Sequence, residues 1–361
     1  MTSRRSFLTL AILPQLLRAT GRGTVLPAAL ARYVDLATDL PVTRITDPAH
    51  SSLLPPASGN PISRHGFLVF SSNVSGSWQA YRMDLKNGTA QQLSDAEALK
   101  PSSLTLLPGE KSICYWDQAR LMMGSPDSGS SRQVYKTAPG FEAGEGISVS
   151  SDGMYTAFVE KNLPTSRLRL LSGTAATTIA EANDEIRDPL IRPRRAAVLY
   201  RRGGGLYLVN FDGKQNYRLR VADGMIAQAT WSPDGRAILY LNVPGPGKLN
   251  MIREFVPDTN EDRLVAETTQ FAAFARNADA SVFAGASGSK ASPYILLLAR
   301  AVRRELTLCE HRASDPSMAA PVFSPNSQQL FFTSDLHGKP AIYRFDVAKL
   351  VSETALPEPR K

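Results

Sequence analysis

The sequence is short of the residues that build metal and disulfide sites. Two cysteines, Cys114 and Cys309, stand nearly 200 positions apart in 361 residues. They are too few and too distant for a disulfide framework or a cysteine-rich zinc site. Four histidines, none three or four residues from another, exclude the helical HExxH metal motif. No G-x-S-x-G occurs, so the nucleophile elbow of the α/β-hydrolases is absent. No apolar run reaches about 18 residues, and no membrane-spanning helix is expected. No cluster of Lys and Arg interleaved with aromatics is present, which sets nucleic acid aside. What is abundant is turn chemistry. Twenty-five glycines and 25 prolines point to many turns and few long helices.

The first 31 residues read as an address. Ser3-Arg4-Arg5-Ser6-Phe7-Leu8 resembles a twin-arginine export motif, an apolar stretch runs from Phe7 to Leu17, and Ala29-Leu30-Ala31 follows as a small-residue cleavage site. This order predicts an exported, periplasmic protein. The segment holds four arginines and no acid, so half of the net charge of +8 belongs to it. The remaining basicity is unremarkable for a globular chain.

Short β-rich runs recur at a near-constant step. Marked by Val69, Cys114, Ala157, Val198, Leu239, Phe283 and Phe331, they lie 45, 43, 41, 41, 44 and 48 residues apart. A turn precedes most of them, as in Ser151-Asp152-Gly153, Ser232-Pro233-Asp234-Gly235 and Ser324-Pro325-Asn326. A second alternating strand follows, clearest in Trp78 to Asp84 and Pro340 to Asp346. Four strands per unit at this period are propeller blades. The fold expected is all-β, a seven-bladed propeller over 42–347, with a linker at 32–41 and a tail at 348–361. No fourth strand follows Asp346. Val42-Thr43-Arg44-Ile45-Thr46-Asp47 looks like the outer strand near Gln91-Gln92-Leu93, so this early segment is expected to close blade seven. A ring closed in this way is stable as a monomer.

The first strand of each blade lines the central channel, and the repeats align Asn60, Lys100, Glu145, Asp188, Gln228, Phe271 and Ala320 at its start. Five of the seven are polar, which suits a mouth for a small polar ligand. His50, His65, His311 and His337 all fall elsewhere and read as surface histidines. Arg201-Arg202-Gly203-Gly204-Gly205 reads as a glycine-eased hairpin, with an arginine anion fork as the alternative.

The phrases Trp231-Ser232-Pro233-Asp234-Gly235-Arg236-Ala237-Ile238-Leu239-Tyr240 and Phe323-Ser324-Pro325-Asn326 resemble the repeats of TolB-type periplasmic propellers. Val42 to Pro48 and Gln92-Leu93-Ser94-Asp95-Ala96-Glu97-Ala98-Leu99-Lys100-Pro101, together with the blade count, resemble oligogalacturonate lyases over about residues 40–347. That resemblance implies β-elimination on pectic oligosaccharides with a histidine-held manganese ion and a separate histidine base. The matching positions here read otherwise. Asp188 stands where the base is expected, Gln228 at a metal-ligand position, and Met318 and Ala320 at two more, with Asp315 as a substitute oxygen ligand. Methionine and alanine offer no hard donor, so little or no manganese is expected. Without a metal, Lys100, Arg187 or Arg312 would have to neutralise the uronate carboxylate, and Asn60 and Glu145 would help hold the sugar. Two functions remain open: a lyase acting on acidic oligosaccharides, and a non-catalytic periplasmic propeller that binds carbohydrate or a protein partner.

Overall fold

The computed structural model describes residues 21–354 apart from Thr269. Seven antiparallel sheets follow one another along the chain, each a meander whose first strand is innermost. Those inner strands are Ser52–Leu53, Thr105–Leu106, Glu142–Val149, Ile186–Ile191, Met225–Trp231, Phe271–Arg276 and Val322–Phe323. Every marker residue of the repeat lies on the second strand of its blade, as an even step requires.

Alternation on the second strands explains why they read as continuous apolar runs. Val198 and Tyr200 face blade three, while Leu199 faces blade five. Both faces are buried, so the middle of each second strand is apolar on either side, and the buried polar residues such as Ser72, Asp117 and Asn242 sit towards its end. The apolar core is divided into seven clusters, one at each junction between neighbouring blades, including the junction of blades seven and one. An open stack of seven would have only six such seams. The seventh, built from residues such as Ile62, Phe70, Phe331 and Ile342, closes the ring.

Closure follows the sequence expectation. Pro41–Arg44 pairs with the third strand of blade seven, placing Val42 opposite Phe345 and Arg44 opposite Tyr343. The expected linker at 32–41 is corrected, because Ala31–Val34 forms a hairpin with Pro41–Arg44 and adds a fifth strand to that blade. The Asp35 carboxylate fixes the turn by accepting from the Ala37 N–H at 3.1 Å, and it ties the turn to blade six by accepting from the Glu310 N–H at 2.9 Å. Upstream, Val25–Leu26 adds a fifth strand to blade one through its partners Gln91 and Ala90. Residues 21–34 therefore straddle the seam between the first and last blades. The arginine pair and apolar stretch of the export motif lie outside the described residues. The start of the expected tail is instead a helix, Ala348–Thr354, with Leu350 and Val351 packed on the core between blades six and seven.

His311 is not a surface residue. It is fully buried beside blade six. The Ala313 N–H donates to its Nδ1 at 3.0 Å, which makes Nδ1 the acceptor and Nε2–H the donor to the Ser287 carbonyl at 3.1 Å. Burial pushes its pKa below the ordinary imidazole value. The unfolded chain then takes up a proton that the folded state refuses, so stability falls as pH drops below about 6.5. His337 is shifted the same way by desolvation and by Arg44. Urea unfolding should give a lower free energy at about pH 5.5 than at about pH 7.5; a flat profile would contradict a buried neutral His311.

Candidate site at the channel mouth

The inner strands of blades three to six each carry a bulge near their start. The register shifts between Ala143 and Ile147, Arg187 and Leu190, Ile226 and Gln228, and Phe271 and Ala273. A bulge drops backbone carbonyls out of the ladder, and these need other donors. At three of the four bulges the preceding blade supplies one. Lys100 Nζ donates to the Ala143 and Gly144 carbonyls at 3.3 and 2.9 Å and pairs with Glu145 at 2.7 Å. Arg201 donates from one terminal nitrogen to the Ile226 and Ala227 carbonyls, both at 2.7 Å. Its Nε and other terminal nitrogen hold Asp188 at 2.7 and 2.6 Å. Asn250 donates to the Phe271 carbonyl at 2.8 Å.

The Gln228 amide extends this belt to blade six. Its nitrogen donates to the Phe274 carbonyl at 2.8 Å, and its oxygen accepts from the Phe274 N–H at 2.9 Å. Between blades three and four the contact is backbone on backbone. Gly146, with φ of 89°, lies so close to blade four that a Cβ would meet Asp188 Cα at 3.1 Å and Pro189 Cδ at 2.7 Å. Only glycine fits there. Asp188 itself has φ of 51°, directly before a proline. That is a costly backbone state for a non-glycine residue, and such states cluster at functional sites.

The residues expected at the mouth are therefore distributed as follows. Lys100 and Glu145 meet as an ion pair, and Asp188 is held by Arg201, a residue expected in a glycine-eased hairpin with an anion fork as the alternative. A signal for Arg201 existed: in the aligned run of blade five, Leu241 occupies its place. Arg187 is exposed and has no partner among the described residues. Asn60 is exposed and ends a short 3-10 turn with φ of 46°. Arg312 is tied to Glu310. The Gly203-Gly204 pair turns the hairpin with φ of 51° and 76°, as expected.

The donor set does not suit a manganese ion. Asp188, Gln228 and Asp315 each have partners of their own. Arg201 holds the Oδ2 of Asp188, and the Gln228 amide is spent on Phe274. The Asp315 carboxylate caps the short turn Pro316–Ala319, accepting from the Ser317 N–H at 2.9 Å and hydroxyl at 2.8 Å. Met318 and Ala320 supply no hard ligand. Among the described residues no group of three or more His, Cys, Asp or Glu side chains could hold a metal.

No protein-family model matches the chain. It is 23% identical to the oligogalacturonide lyase of Pectobacterium atrosepticum over 382 residues, covering 89% of this chain and 97% of that protein. It is 22% identical to the oligogalacturonate lyase of Dickeya dadantii over 381 residues, with the same coverage. A solved oligogalacturonate lyase in complex with manganese superposes with a TM-score of 0.84 at 22% identity, over 93% of this chain and 98% of that one. An oligogalacturonate lyase structure from Vibrio parahaemolyticus gives 0.84 at 21% identity, over 91% and 99%. The chain is thus similar to oligogalacturonate lyases along most of its length and shares their propeller fold.

Proposed function

We propose that this propeller takes acidic pectic oligosaccharides at its channel mouth and cleaves them by β-elimination with its own side chains. The observation that carries the reading is the adjacency of Arg187 and Asp188. One is an exposed cation without a partner, the other a carboxylate held in a strained backbone at a bulge. Elimination needs the uronate carboxylate neutralised and the C5 proton removed. Arg187 meets the carboxylate. Asp188 takes the C5 proton, the C–H electrons form the C4–C5 double bond, and the C4–O bond breaks with the leaving oxygen picking up a proton from water. Arg201 acts as a positioning residue by holding Asp188. The twin-arginine motif supports export to the periplasm, and among the described residues no helix is long and apolar enough to cross a membrane.

A second reading, a propeller that binds acidic sugar without cleaving it, is favoured by the closed Gln228 amide and by Met318 and Ala320 at the positions where the resemblance expects histidines. Ultraviolet absorbance of the unsaturated product on oligogalacturonate separates the two. The first reading expects product with or without a chelator, and about 100-fold less with Asp188→Asn. Saturable binding with no product in either condition selects the second.

A further inference from the structure

On the face of the ring opposite the mouth, the seams between blades are closed by polar side chains of the turns. Between blades four and five the closure is an ion pair. Arg192 donates through Nε to the Gly235 carbonyl at 2.8 Å and grips both oxygens of Asp258 at 3.1 and 3.0 Å. It lies over the Trp231 ring at 5.2 Å. That pairing holds the Asp258 carboxyl below its usual range.

The equivalent positions at the seam of blades seven and one can be read from the hydrogen bonds. The Arg192 N–H returns to the carbonyl of Ala197, the first residue of the second strand; in blade seven the N–H that returns to Gln329 belongs to Ser324. Asp258 lies three residues after Phe255, the partner of Ile238; in blade one, three residues after Met83, the partner of Leu68, stands Lys86. At the seam of blades seven and one a serine, as at Ser150 and Ser232 in blades three and five, stands where blade four carries its filling arginine, and a lysine stands where blade five carries the acid. The seam is left with a cleft of about 690 Å³. Arg64, Lys86 and Arg344 all line it, and among the described residues none of them is ion-paired. Arg344 is half-buried and spends one terminal nitrogen on the Leu85 carbonyl at 3.0 Å.

Burial lowers the Arg344 pKa and Asp346 raises it from a distance, and among the described residues no nearby acid forms an ion pair with any of the three cations. Asp84 accepts from the backbone of Lys86 at 2.7 Å and Asn87 at 3.2 Å, and from the Asn87 amide at 3.3 Å. Glu110 accepts from the Ser63 hydroxyl and from the Arg64 N–H at 2.9 Å, and lies 3.8 Å from His65. Three cations around one cleft, with Asp84 the one acid lining it beside them, favour an anion supplied from outside, and the volume lies within the range of small-molecule sites.

We propose that the cleft between blades seven and one is a second binding site, for a ligand bearing a carboxylate or phosphate group. The ligand's anionic group takes the place that Asp258 fills between blades four and five. The site is independent of the mouth and of whether the mouth is catalytic.

The test is calorimetric titration of the full chain with inorganic phosphate, trigalacturonate and, as a neutral control, maltotriose. At least one anion should bind saturably at the cleft, more weakly as salt rises, and the neutral sugar should not. Phosphate binding points to a phosphorylated ligand, and trigalacturonate binding alone points to a sugar carboxylate. The double variant Ser324→Arg/Lys86→Asp installs the pair seen at the other seam. It should fold and lose at least about tenfold in cleft affinity. Should it fail to fold, Lys86→Ala and Arg64→Ala, which alter exposed side chains, should each weaken binding several-fold. Binding at the mouth behaves oppositely, lost in Arg187→Ala and kept in the cleft variants. Absence of anion binding to the wild type, or binding indifferent to every cleft variant, overturns the proposal.

Discussion

Val42→Asp should lower the unfolding free energy by about 4 kcal/mol, because it places an unpaired charge inside the core. Val42 is fully buried, pairs with Phe345, and packs on the cluster between blades six and seven. It is the core-facing residue at the start of the pairing that joins the early segment to the last blade. Losing that strand would also expose the third strand of blade seven as a free edge. The thermal midpoint should fall by roughly 8 °C. Val34→Asp is the control. Val34 is 55% exposed on the outermost strand of the same hairpin, and the same change there should cost no more than about 0.5 kcal/mol. Similar losses at both positions would mean that Pro41–Arg44 is not the closing strand.

Arg201→Ala should be the most damaging single change at the mouth, costing about 3 kcal/mol. One guanidinium caps the Ile226 and Ala227 carbonyls and holds Asp188. Its removal strands two bulge carbonyls and frees a carboxylate at once. Arg201→Lys should recover only part of the loss, since an ammonium cannot span the carbonyls and the carboxylate as a planar fork does. Hydrogen exchange should accelerate at the start of blade five in the alanine variant. Turnover or binding of acidic sugar should fall with it, while the seam cleft keeps its affinity for anions.

Blade number and closure were legible because each unit repeats its turn and its second strand, and because Val42 to Asp47 echoes the outer strand at Gln91 to Leu93. Tyr33 to Leu36 could not be placed that way. Ala31–Val34 and Val25–Leu26 are fifth strands, extra to the repeating unit, so no repeat position describes them. Burial of His311 left no trace because its partners, the Ser287 carbonyl and the Ala313 N–H, are backbone groups that any sequence supplies. At the mouth, alignment of the repeats gave the height of each residue along its blade. It did not give the pairing across blades, where Lys100 reaches carbonyls 43 and 44 positions on and Arg201 reaches 25 and 26 positions on. Those reaches depend on the bulges, and the bulges appear only once the strands are paired.

The belt of side chains around the mouth stands where the resemblance to oligogalacturonate lyases expects a metal centre. Titrating metal-free protein with manganese(II), and following the free ion by electron paramagnetic resonance, tests this most directly. The signal should rise in proportion to added manganese from the first addition. One equivalent withheld from solution, and returned to it by Gln228→Ala or Asp315→Ala, would contradict it.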